Sequence, residues 1–198
     1  EQTAEITLDG QPVVKRYTVL LMLYKPAGYV TSSDDPSGPT VMELIPDNYR
    51  RLGVMPVGRL DKATEGLLLF TNDGNFANDI MHPSRHVSKT YRVTIDGRVS
   101  EEQLTRLMSG VELDDGTWTM PCQVEVLVEE PERTVLRFVI KQGLNRQIRR
   151  MCTAVGLNVG RLRRTAIGGV RLGMLKPGDW RELTKDELRS LRAAVGKG

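Results

Sequence analysis

The stretch Pro56-Val57-Gly58-Arg59-Leu60-Asp61-Lys62-Ala63-Thr64-Glu65-Gly66 puts an acid, Asp61, two residues from a base, Arg59, on a Gly-bounded turn, and an apolar run over 67–70 follows at once. Four large apolar residues bounded by turn residues predict a strand buried on both faces, with a buried helical segment as the alternative. A charged turn braced by a buried element can hold one carboxylate still, as single-aspartate nucleophilic chemistry requires. The same pattern suits a solvated or capping aspartate, so spacing alone leaves both open. Metal chemistry has less to build on. Asp34 and Asp35 are adjacent acids without a third ligand nearby, which reads as a solvated turn. His82 and His86 are four apart, but Pro83 between them argues against the regular helix that would align them. Cys122 and Cys152 lack metal-ligand spacing and read as small buried apolar groups of a reducing compartment. No metal site is predicted.

The elements that must position Asp61 follow from periodicity. Residues 19–24 are continuously apolar and predict a central strand, ended at Lys25-Pro26-Ala27-Gly28 because proline removes a ladder donor. Residues 41–45 predict a short helix stopped by Pro46, and 75–81 a helical turn or two. Alternation over 89–95 predicts a strand carrying Tyr91. Ser100 followed by Gln103 is a capping-box pattern that opens an amphipathic helix over 101–109, closed by Gly110. Residues 124–128 and 134–140 flank a Pro131 turn and predict an antiparallel pair. A helix is predicted over 145–154, with Gly156 as its stop, and a last one over 184–194, capped by Thr184. Residues 172–180 read as loop. Ile6-Thr7-Leu8-Asp9-Gly10 suggests a short strand and turn. Strand–helix alternation with antiparallel pairs predicts an α+β fold.

The chain has 198 residues, enough for one domain or two closely joined lobes. No run reaches membrane-spanning length and no signal peptide opens it. The formal net charge is only +3, but its distribution is uneven. Residues 133–178 hold eleven Lys or Arg and no acid, while acids gather at 112–115 and 125–132. A single-sign segment in a balanced chain predicts a polyanion-binding face.

Gly58-Arg59-Leu60-Asp61, followed by Thr64, Gly66, the apolar run and Thr71-Asn72, resembles the signature of the RsuA-like pseudouridine synthases. Further similar blocks run from Tyr24-Lys25-Pro26 to Ile167-Gly168-Gly169, so the resemblance covers nearly all of the chain after residue 20. Gln142-Gly143-Leu144-Asn145-Arg146-Gln147-Ile148-Arg149-Arg150-Met151-Cys152 is most similar to the RluB/RluF branch, whose members modify large-subunit ribosomal RNA. The resemblance implies a bent, mixed, largely antiparallel sheet in two lobes with a central cleft over 20–198. Family members commonly carry an S4-type RNA-binding domain in front, and residues 1–19 look like the linker that would follow it.

The resemblance also implies roles. Pseudouridine formation detaches uracil from ribose, rotates it and rejoins it through C5, and a carboxylate can drive this without metal or redox cofactor. Asp61 takes the nucleophile's place. A carboxylate in a cleft needs a nearby cation to stay ionised, and Arg149 matches the family's partner. Arg146, Arg149 and Arg150 fall at i, i+3 and i+4 of the predicted helix. Tyr91 matches the aromatic that stacks on the extracted base, and stacking contributes about 1–3 kcal/mol. Leu162 matches an apolar pocket residue. For Tyr91 and Leu162 core packing is the alternative, and for Arg149 a phosphate contact. Extracting the base costs a few kcal/mol, which Arg59 could offset by filling its place. Arg146, Arg150, Arg163 and Arg164 would grip phosphate through their planar forks. The expected enzyme is thus a cytoplasmic, monomeric RNA pseudouridine synthase acting on large-subunit rRNA. Small-subunit rRNA or tRNA as substrate, a non-catalytic ribosome-assembly module and an N-glycoside hydrolase are the rivals. The hydrolase lacks the second acid it would need.

Overall fold

The structure, a computed structural model, describes residues 6–8, 11–13, 17–32 and 38–196. Asp34 and Asp35, and the turn expected at Asp9-Gly10, lie outside the described residues. A small antiparallel ladder joins β1 (Ile6–Leu8) to β2 (Gln11–Val13). One nine-stranded sheet then comprises β3 (Leu20–Lys25), β4 (Met55–Val57), β5 (Glu65–Thr71), β6 (Lys89–Asp96), β7 (Gln123–Glu129), β8 (Arg133–Ile140), β9 (Val159–Ile167), β10 (Val170–Arg171) and β11 (Trp180–Glu182). The helices are α1 (Asp47–Arg51), α2 (Gly74–Met81), α3 (Glu101–Ser109), α4 (Gln147–Ala154) and α5 (Lys185–Ala194). The main path runs β11-β3-β5-β9-β6-β8-β7, with β4 added to β5 and β10 to β9. Among the described strands only β5 and β9 pair in parallel. The expected α+β fold, with a mixed and largely antiparallel sheet, is therefore present.

Two cores divide the molecule into lobes. In the first, β3 and β5 are buried on both faces. Met22, Tyr24, Leu67 and Leu69 pack with Ile80 of α2 and Leu191 of α5, while Leu21, Leu23, Leu68 and Phe70 pack with Val41, Ile45 and Val54 on the other side. This is why both strands read as unbroken apolar runs instead of alternating. In the second lobe β6 and β8 bury one face. Val93, Ile95, Leu136 and Phe138 meet Leu107 of α3 and Ile148, Met151 and Cys152 of α4. Polar residues such as Arg92 and Arg137 occupy the other face. Ser100 caps α3 in the expected reciprocal way with Gln103, and Thr184 caps α5 with Glu187. Among the described residues no helix is long and apolar enough to cross a membrane.

The lobes join where β5 meets β9, with Glu65 opposite Arg163 and Gly66 opposite Arg164. Gly66 has φ +116°, and a Cβ there would lie 2.1 Å from the Arg164 carbonyl oxygen. Only glycine permits so close an approach. Arg161 reinforces the seam with a two-pronged pair to Glu65, Nε–Oε2 2.9 Å and Nη2–Oε1 3.0 Å.

Several expectations need correction. Residues 41–44 form a 3-10 turn instead of an α-helix; it stops before Pro46 as expected, and Pro46 then caps the start of α1. The 172–180 loop ends in β11, whose Trp180 pairs with Leu23. The helix expected from 145 begins at Gln147, because Arg146 adopts a left-handed conformation, φ 50°. Arg146, Arg149 and Arg150 therefore do not share one helical stripe. His82 and His86 are separated by a 3-10 turn at Pro83–Arg85, as the proline suggested.

Candidate active site

Asp61 lies on the loop between β4 and β5, where hydrogen bonds tie down Leu60, Asp61, Lys62 and Thr64. Thr31, itself buried, binds both polar backbone groups of Leu60: its Oγ1 donates to the carbonyl and accepts from the N–H at 3.1 Å. Gly28 N–H donates to the Lys62 carbonyl at 2.8 Å. Thr64 N–H donates back to the Asp61 carbonyl at 2.9 Å. Lys25 completes the clamp. It is fully buried at the end of β3, and its Nζ donates to the carbonyls of Pro26 (3.0 Å), Lys62 (3.2 Å) and Thr64 (2.7 Å). Burial pushes the Lys25 ammonium down to about 8, with the charges of Glu65 and Asp61 opposing. A lysine inside an apolar run before proline was the signal available in sequence. Its role follows only from where the Asp61 loop returns.

Two arginines of the second lobe meet this loop. Arg146 Nη1 donates to Asp61 Oδ2 at 3.0 Å, its left-handed backbone turning the side chain back from the start of α4. Arg149 Nε lies 3.7 Å from the same oxygen, an ion pair but too long for a hydrogen bond, so that buried N–H has no hydrogen-bond partner. Arg149 Nη2 instead donates to Thr64 Oγ1 at 3.2 Å. Burial, then the neighbouring charge of Arg146, lower the Arg149 pKa, with Asp61 opposing. The Asp61 side chain keeps about a quarter of its surface open, at 26 %. It faces a cleft of about 690 Å³ between the lobes.

The structure brings Arg59, Asp61, Tyr91, Arg146, Leu162 and Arg164 together around this cleft. Arg149 touches it through Asp61 and Thr64. Tyr91 is half-buried against the second core, and Leu162 is buried in it, so pocket lining and core packing coincide at both. Arg59 is exposed at the mouth. Three of the expected phosphate grips sit otherwise. Arg150 binds Asp114 and Asp115, Nη2–Oδ 2.8 and 2.9 Å, and lies outside the cleft lining, because its helical position turns it toward the 112–115 loop. Arg164 is buried, with Nε donating to the Leu67 carbonyl at 2.8 Å. Arg163 Nη1 reaches the Tyr24 hydroxyl at 3.3 Å. Lys89 lines the cleft unforeseen, two residues before Tyr91. Among the described residues no group of three His, Cys, Asp or Glu comes together as a metal site.

A carboxylate fixed by its own loop, set against two guanidiniums and open to a cleft large enough for a nucleoside, can attack a sugar or a base. The cations around it suit a polyanion. Residues 19–154 match the family of RNA pseudouridylate synthases. The chain is 39% identical over 190 residues to the RNA pseudouridine synthase YtzG of Bacillus subtilis, covering 96% of this chain and 80% of that one. It is 36% identical over 198 residues to ribosomal large subunit pseudouridine synthase B of Bacillus subtilis, covering 98% and 80%. A pseudouridylate synthase crystal structure superposes with TM-score 0.80 at 33% identity, over 94% of this chain and 80% of that one. The chain belongs to the RNA pseudouridine synthase family and resembles its RsuA/RluB-like members. It is an RNA-modifying isomerase.

Proposed function

We propose that this synthase acts on a uridine of large-subunit ribosomal RNA and that Asp61 is its nucleophile. The observation that carries the assignment is the setting of Asp61: its loop is pinned at Leu60, Lys62 and Thr64, and its carboxylate faces the cleft against Arg146 and Arg149. The likeness to ribosomal large subunit pseudouridine synthase B supports the substrate. The carboxylate attacks the flipped nucleotide, the C1′–N1 bond breaks, and the base turns within the cleft. C1′ then bonds to C5 while the bond formed by the Asp61 carboxylate breaks and frees it, the C5 hydrogen leaves as a proton, and N1 gains one, so the product is an isomer and the enzyme is regenerated. Tyr91 stacks on the base, Arg149 orients Asp61, and Arg59 fills the place the base leaves and, with Arg146, holds the RNA backbone at the mouth.

Tritium release tests this directly. Large-subunit rRNA labelled at C5 of uridine should lose tritium with the wild type and not with Asp61→Ala, while both bind it. Release from small-subunit rRNA or tRNA alone would move the substrate. Release by Asp61→Ala would remove the nucleophile.

A further inference from the structure

We propose that Lys89 and Arg164 form a subsite for the carbonyl oxygens of the uracil, stabilising the negative charge they gain as the base is attacked and detached. This rests on the isomerisation assigned above, and it gives a role to two cations that the phosphate reading leaves unexplained.

The sheet brings the two together. Lys89 and Tyr91 are two apart on β6 and so point to the same face. Opposite them, β9 carries an irregularity: Thr90 faces Ala166 but Tyr91 faces Arg164, so Thr165 is the extra residue. Such a bulge re-aims the side chains beside it. Here it sets Arg164 directly across from Tyr91, and all three side chains line the cleft with Leu162 and Ile167.

Both cations are incompletely engaged. Arg164 is 4% exposed, and its buried Nη2 has no hydrogen-bond partner. An orphaned buried donor is costly and calls for an acceptor. The Lys89 ammonium makes no hydrogen bond or ion pair with a described residue. Burial, then the charge of Arg164, push it down to about 8. Two neighbouring cations without an anion repel each other, and an anionic group between them removes that cost. Their position favours a base over a phosphate. Arg164 Nη2 is shut off from solvent and Arg164 stands opposite Tyr91 across the sheet, whereas Arg59 and Arg146 stand exposed. A planar ring on Tyr91 would direct its carbonyl oxygens along this face.

The chemistry asks for such donors. When C1′–N1 breaks, its electron pair stays on the base and spreads from N1 to O2 and O4. Attack at C6 would instead place charge on O4. Preset cations aimed at those oxygens stabilise either species.

The test compares two free bases on the full chain: uracil, neutral near pH 7, and 5-nitrouracil, ionised there. Calorimetry should find the ionised base bound about tenfold more tightly by the wild type, the size of one charge-assisted contact. Lys89→Met should lose this preference and Lys89→Arg keep most of it. Single-turnover tritium release should fall about a hundredfold in Lys89→Met, with RNA affinity little changed. Arg164→Lys, checked for folding, should weaken the preference in the same direction. Equal affinity for the two bases, binding of neither, or displacement of 5-nitrouracil by equimolar inorganic phosphate overturns the subsite even if isomerisation is intact. Conversely, charge-selective binding without tritium release from any RNA leaves the subsite standing and overturns the assigned reaction.

Discussion

Arg149 bridges two residues of one loop: its Nε stands 3.7 Å from Asp61 Oδ2 while its Nη2 donates to Thr64 Oγ1 at 3.2 Å. It thereby couples the second lobe to the loop that carries the carboxylate. Arg149→Met should reduce single-turnover tritium release by about 10²–10³-fold and destabilise the fold by about 1–3 kcal/mol, since it leaves Thr64 and Asp61 with fewer partners. Arg149→Lys restores the charge without the fork and should recover only part of the rate. Rapid-quench measurement at saturating RNA checks this. A Met variant with wild-type turnover would show that Arg146 alone suffices.

Lys25 gives a pH signature. Its pKa is about 8 in the fold against 10.5 as the reference value. Between these values the unfolded chain holds a proton that the folded chain has lost, so raising the pH favours folding; the penalty returns in full below about 8. From about pH 7.5 to about pH 9.5 this one lysine should add about 2 kcal/mol to stability. Lys25→Met should remove that increment, read as the difference between the two proteins in urea unfolding at each pH. The Met variant should also turn over more slowly, because the Thr64 carbonyl loses its lysine donor. An identical pH dependence for both proteins would refute the assignment.

The frame of this site was legible in sequence because its strongest signals are local. Unbroken apolar runs marked β3 and β5, alternation marked β6, and capping residues marked α3 and α5. Asp61 was singled out by a turn beside a buried strand. What sequence did not show depends on contacts far apart along the chain. Lys25 meets carbonyls at 62 and 64 only after β3 and β5 pair. Arg150 looked like its neighbours until the 112–115 loop folded against it. Arg146 looked helical because left-handed backbone at an arginine has no sequence signature. Arg164 and Lys89 take their meaning from the β6–β9 register and its bulge, which composition cannot reveal.

Gly66 should be nearly immutable. Its φ of +116° strains any other residue, and an added Cβ would stand 2.1 Å from Arg164 O and 2.6 Å from Arg164 N, both rigid backbone. Gly66→Ala must therefore separate β5 from β9, the parallel seam between the lobes. A loss of at least about 3 kcal/mol is expected. Gly28→Ala is the comparison: it too has positive φ, but nothing lies within 4 Å of an added Cβ, so only backbone strain applies. Denaturation midpoints of the two variants test the difference. Equal losses would mean that strain, not the close approach, dominates at 66.

The cations of the cleft and its surroundings should separate by what already engages them. Arg59 is exposed and forms no ion pair among the described residues. Arg150 is held by Asp114 and Asp115. If phosphate contacts drive RNA binding, each one lost lowers the slope of log affinity against log salt by about 0.7–0.9. Arg59→Ala should show that reduction. Arg150→Ala should leave both affinity and slope nearly unchanged, because its charge is already countered and its removal frees two acids well outside the cleft lining. Arg146→Ala should do two things at once: reduce the salt slope like Arg59→Ala and slow turnover, since it also removes the 3.0 Å contact to Asp61. Filter binding at several salt concentrations, paired with single-turnover tritium release, resolves the three. An Arg150→Ala slope reduced as much as that of Arg59→Ala would mean that RNA displaces the acids and that the 112–115 loop moves on binding.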